Sequence, residues 1–143
     1  MKWYFSSRTR HKDTIKSIGE LLNKYNHKMN FNWTLLNKLT PYYKNEHLCE
    51  EIANKISSAI KDSDVFVLIS DKEGTDMFIE LGIAIKSFLQ NNKPKIYIVG
   101  KYNKRSLMHF HPSINHVFSL KEVFNEECPE IKKDELMEII KNI

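Results

Sequence analysis

Asp64-Val-Phe-Val-Leu-Ile-Ser70 narrows the fold more than any other stretch of this chain. Its apolar run is unbroken from Val65 to Ile69. A strand with one wet face alternates apolar and polar residues. An unbroken apolar strand is covered on both faces, the situation of a central strand in a parallel sheet. Such a strand needs helices above and below it, and the flanking sequence supplies them.

Lys2-Trp-Tyr-Phe-Ser6 reads as a first short buried strand, followed by a polar loop through His11. From Lys12 the spacing turns helical, with Ile15, Ile18, Leu21 and Leu22 on one face, ending near Tyr25-Asn26. Alternation of Met29, Phe31 and Trp33 predicts a second strand over 28–33. Residues 35–44 contain Pro41 and read as a loop. A helix is expected over about 45–61 on Leu48, Ile52, Ile56, Ala59 and Ile60. After the central strand come a polar turn at 71–76 and a helix over 76–90, broken by Asn91-Asn92-Lys93-Pro94. Lys95–Val99 is the next strand. A long polar segment at 101–115 leads to a short strand at 116–118, a brief helix capped by Ser119 through Phe124, and a terminal helix over 131–142.

This alternation predicts one α/β domain spanning 1–143: a flavodoxin/Rossmann-like three-layer sandwich on a mostly parallel five-stranded sheet of order 2-1-3-4-5. In that order the chain reverses direction between strands one and three, and ligands bind at their carboxyl ends. Ser6–Arg10 and Asp71–Glu80 therefore face each other across one crevice.

Bulk properties exclude several function classes. The net charge of +4 comes from 22 basic and 18 acidic residues scattered among one another, not from the concentrated basic stripe of a duplex binder. No apolar run approaches the roughly 18 residues of a membrane span, and no signal peptide opens the chain, so a cytoplasmic setting is expected. Cys49 and Cys128 lack metal-type spacing and read as reduced thiols. His109, His111 and His116 lack a helical pair and are interrupted by Pro112. With four glycines there is no glycine-rich phosphate fingerprint. No metal and no cofactor are expected.

Within the crevice, Glu80 stands in a helix that is apolar all round: Met77, Phe78, Ile79, Leu81, Ile83, Ala84 and Ile85. A carboxylate there is a helix-dipole group, a paired group, or one held for chemistry. Gly74 and Thr75 precede the helix and can offer backbone N–H groups to an anion. Across the crevice, Tyr4, Ser6, Ser7, Arg8, Thr9 and Arg10 offer hydroxyls and guanidinium forks suited to phosphate. Trp33 either stacks on a planar base or packs in the core.

Four segments together carry a likeness: Trp3-Tyr-Phe-Ser-Ser-Arg-Thr-Arg10, Asn32-Trp33-Thr34, Asp64–Asp71 and Gly74-Thr-Asp-Met-Phe-Ile-Glu-Leu-Gly82. The chain resembles the nucleoside 2-deoxyribosyltransferase-like superfamily, including its deoxynucleoside-monophosphate N-glycosidase branch, over roughly residues 2–124. The resemblance implies the same fold and a homodimer or larger homo-oligomer. It implies Glu80 as the carboxylate nucleophile at the sugar's anomeric carbon, with Tyr4 orienting it. Ser6, Ser7, Arg8 and Arg10 would gather round a 5′-phosphate, Arg10 being the best match. Gly74 and Thr75 would line the sugar, and Trp33 would fall near the base.

One position departs from the pattern. Where the superfamily carries an aspartate in the helix before the third strand, this chain has Ile56, which cannot move a proton. Asp71 is the expected catalytic substitute, with Asp76 beside the substrate. The implied activity is cleavage or transfer at the N-glycosidic bond of a nucleoside or its 5′-monophosphate. The alternatives are a nucleotide-binding or sensing module that has lost the chemistry, and a Toll/interleukin-receptor-like NAD glycohydrolase.

Overall fold

The computed structural model describes residues 1–141 and 143. Five parallel strands make the sheet: β1 (Lys2–Ser6), β2 (Lys28–Met29), β3 (Val65–Ile69), β4 (Lys95–Val99) and β5 (Ile114–Val117), in the order β2-β1-β3-β4-β5. The expected order and the three layers are both present. Helices α2 (Glu46–Lys61) and α3 (Asp76–Asn91) cover one face. Helices α1 (Lys12–Lys24), α4 (Leu120–Glu127) and α5 (Lys133–Ile139) cover the other. Every residue of β3 is buried, as its unbroken apolar run requires.

Strand parity sorts β1 between the layers. Trp3 and Phe5 point into the core beneath α1 and α4, with Trp3 stacked on Phe5 at 5.8 Å and on Phe124 at 5.2 Å. Tyr4 points to the opposite core, stacked on its sheet neighbour Phe66 at 5.9 Å, and Ser6 shares its parity. Among the described residues, no helix is long and apolar enough to cross a membrane.

Element boundaries move where polar side chains compete for the backbone. The second strand stops at Met29 instead of reaching residue 33. Asn32 takes the Thr34 N–H on its side-chain oxygen at 3.1 Å and starts a 3-10 turn over Trp33–Leu35. Thr9–His11 and Tyr42–Lys44 are also 3-10 turns within the expected loops. The fifth strand starts earlier, at Ile114, which pairs with Ile96, and leaves Phe118 exposed. Helix α4 runs on to Glu127, while α5 is shorter than the expected 131–142, of which residue 142 lies outside the described residues. Helix α3 ends at Asn92, which takes the left-handed conformation (φ 57°).

Candidate active site

The carboxyl ends of β1 and β3 open onto the amino-terminal half of α3. Glu80 sits one helical turn after Asp76, on the same face. Both line a pocket of about 390 Å³ with Ile79 and Ile83. Its far wall comes from the 36–57 region, including Leu36, Tyr42, Cys49, Ile52 and Ile56. The walls are mostly apolar, and the two carboxylates are the charged groups lining it.

Glu80 is fixed from behind. The Tyr4 hydroxyl donates to its Oε1 at 3.0 Å, and the Ser6 hydroxyl donates to its Oε2. Both donors are reached because β1 alternates: residues four and six share the face that α3 covers. Tyr4 and Ser6 are themselves buried. Burial pushes the Glu80 carboxyl up to about 7; the Ser6 and Tyr4 hydrogen bonds pull it down, and the Asp76 charge pushes it further up. Burial also raises the Tyr4 phenol well above its ordinary value, and the Glu80 charge adds to this. Tyr4 is therefore a hydrogen-bond donor at every physiological pH.

Several expected residues occupy other places. Ser6 does not face a phosphate site; it holds Glu80. Asp71 does not line the pocket: it is buried, and its carboxylate takes the Arg10 guanidinium and, at 3.0 Å, the Glu73 N–H. Burial raises its pKa, but the Glu73 N–H and the cations Arg10, Arg8 and His11 outweigh burial and hold it below the usual carboxylate range. A carboxylate so held has no proton to donate near neutral pH. Trp33 donates its indole N–H to the Phe5 carbonyl at 2.7 Å and packs against both cores. Gly82, which closes the Gly74–Gly82 segment, has open space around its Cβ position.

The turn of Ser7, Arg8 and Arg10 lies beside the loop that carries Asp71 and Glu73. Arg8 is half-buried and Arg10 exposed, and Arg8 lies 3.7 Å from Glu73 on the facing loop. Ser7 donates to the Arg8 carbonyl. Gly74 and Thr75 form the link between this lip and α3. Gly74 takes φ 135°, a backbone region that favours glycine.

Two features were not visible in the sequence. Arg105, from the long polar segment, donates to the Asp71 carbonyl at 3.0 Å and lies over the Phe78 ring at 5.2 Å. Cys49 and Tyr42 join the pocket wall. Their signal is tertiary, because nothing in local periodicity aims them at Glu80.

No protein-family model matches the chain, and no curated protein sequence does. Among solved structures, the fold is similar to that of a Clostridium botulinum CMP N-glycosidase, BcmB, with a TM-score of 0.57 and 15% identity. The alignment covers 92% of this chain and 100% of that one. At this identity the likeness establishes the shared fold.

Proposed function

We propose that this chain hydrolyses the N-glycosidic bond of a nucleoside 5′-monophosphate, with Glu80 as the nucleophile. The observation that carries the reading is the Glu80 carboxylate, gripped by the Tyr4 and Ser6 hydroxyls at the edge of an apolar pocket. The grip leaves the carboxylate oriented, and the apolar surroundings raise its basicity and its reactivity. The fold shared with a protein titled a CMP N-glycosidase supports the same chemistry.

The reaction runs in two displacements. A Glu80 oxygen attacks the anomeric carbon as the C–N bond breaks, and the bonding electron pair leaves with the base. The departing nitrogen takes its proton from solvent. Water then attacks the anomeric carbon of the glycosyl ester. Asp76, one turn away in the same pocket, takes the water's proton as Glu80 is freed, and passes it to solvent. The net change is nucleotide plus water to sugar phosphate plus free base. Asp71 is a positioning residue for Arg10, and Arg10 and Arg8 bind the phosphate.

Ile56 in the pocket wall favours a second reading, a module that binds nucleotides without cleaving them. One experiment decides between them. Ribonucleoside and deoxyribonucleoside monophosphates, the corresponding nucleosides and NAD are incubated with the protein and resolved by chromatography. Free base is expected from a monophosphate, and Glu80→Gln is expected to lower its release by on the order of 10³-fold or more. Ligand-dependent thermal stabilisation without any base release would establish the binding module instead.

A further inference from the structure

At the amino ends of the strands, remote from Glu80, three side chains from distant segments converge. His27 follows α1, Cys128 closes α4, and Glu130 lies in the turn before α5. His27 Nε2 is 2.6 Å from Glu130 Oε1 and 3.6 Å from Cys128 Sγ. The three potential ligand atoms all lie within 4.8 Å of one another. None of this belongs to the glycosidase chemistry.

We propose that His27, Cys128 and Glu130 bind a zinc-type divalent cation, with one coordination position open to solvent. A tetrahedral zinc ion with ligands at its ordinary bond lengths holds them roughly 3.3–3.7 Å apart. The nitrogen–sulfur separation is already of that size. The nitrogen–oxygen separation has to open by less than about 1 Å, and that movement falls on Glu130, whose side chain is 49% exposed. The two deeper ligands are preset. Cys128 is 1% exposed, with its N–H bonded to the Phe124 carbonyl at 2.8 Å. The His27 N–H bonds to the Leu22 carbonyl at 2.9 Å, and its ring meets Trp3 edge-on at 6.5 Å. An imidazole, a thiolate and a carboxylate form a donor set that suits zinc and excludes magnesium or calcium.

The protons balance. Burial pushes the Cys128 thiol up to about 12, with the Glu130 charge adding to it, so the metal-free thiol keeps its proton. Binding forms an S–Zn bond and releases that proton to solvent. With the metal on Nε2, the ring proton moves to Nδ1, which lies 3.2 Å from the Met1 amino nitrogen. The ion would tie the α1–β2 turn to the α4–α5 turn.

The test uses the full chain, stripped with a chelator, at about pH 8. Zinc is titrated by calorimetry and thermal unfolding, and cobalt(II) is added in parallel as a spectroscopic probe. One ion per chain is expected, with the unfolding midpoint raised by roughly 5 °C or more at a hundredfold excess over Kd. Cobalt should give a thiolate charge-transfer band that Cys128→Ser abolishes and Cys49→Ser retains. Glu130→Gln, an exposed change that leaves the fold intact, should weaken zinc binding about tenfold. It stands in for Cys128→Ser should that variant not fold. Absence of heat and band from folded protein overturns the proposal, as does unchanged affinity in Glu130→Gln or a band that follows Cys49.

Discussion

The two faces of the sheet use the same strand differently. On one face, Trp3 of β1 is stacked on both Phe5 and Phe124 under α1 and α4, and the layer is closed. On the other, Tyr4 and Ser6 of the same strand spend their hydroxyls on Glu80, beside an open pocket under α2 and α3. A one-residue step along β1 separates closed packing from the hold on Glu80. The difference shows how five residues can carry a core and a grip on a carboxylate at once, because the side-chain period of a strand is two.

The division can be broken from either side. The largest effect is expected on the closed face. Trp3→Ala removes a fully buried indole and should cost about 3–5 kcal/mol of stability by chemical denaturation. The pH dependence of base release by the remaining folded protein should be unchanged. An altered pH profile would show that the faces are coupled. Trp3 Nε1 has no hydrogen-bond partner, so the loss is one of packing.

On the open face, Arg10→Ala should weaken monophosphate binding by about 10- to 100-fold, the effect of losing a charge-assisted contact, and leave nucleoside binding nearly unchanged. Equal weakening of both by calorimetry would remove Arg10 from the phosphate site. Tyr4→Phe should have the smallest effect, a decrease of about tenfold at neutral pH. Its signature is a displacement: the acid limb of the rate profile, expected near pH 7, should move to higher pH, because the Tyr4 hydrogen bond holds the Glu80 carboxyl down. A limb that stays in place would mean that Tyr4 only fills space.

Much of this arrangement was legible in the sequence because it rests on local patterns. The run from Val65 to Ile69 fixed the central strand, and the alternation of strands and helices fixed the sheet order. Glu80 stood out as a carboxylate in an apolar helix, and the pairing of Tyr4 with it was implied by resemblance. What was not legible depends on side-chain competition and on distance along the chain. The sequence favoured Asp71 over Asp76 as the second acid. The structure ties Asp71 to Arg10 and turns Asp76 to the pocket. The Met29, Phe31, Trp33 alternation suggested a longer strand, but Asn32 bonds to the backbone two residues on and bends it away. Cys128 meets His27 across a sequence separation of 101, which no spacing rule anticipates.

The elevated Glu80 carboxyl has a consequence for the life of the folded chain. In the unfolded state this group titrates near its ordinary value, 4.5; in the folded state it titrates at about 7. Between those limits the folded form binds more protons than the unfolded one, so raising the pH across this window drains folding stability through this residue. The same rise creates the ionised carboxylate that the proposed reaction requires. Folding and the proposed reaction thus compete for a single proton. Melting profiles across that window should slope downward in the native chain, and more gently in Glu80→Gln.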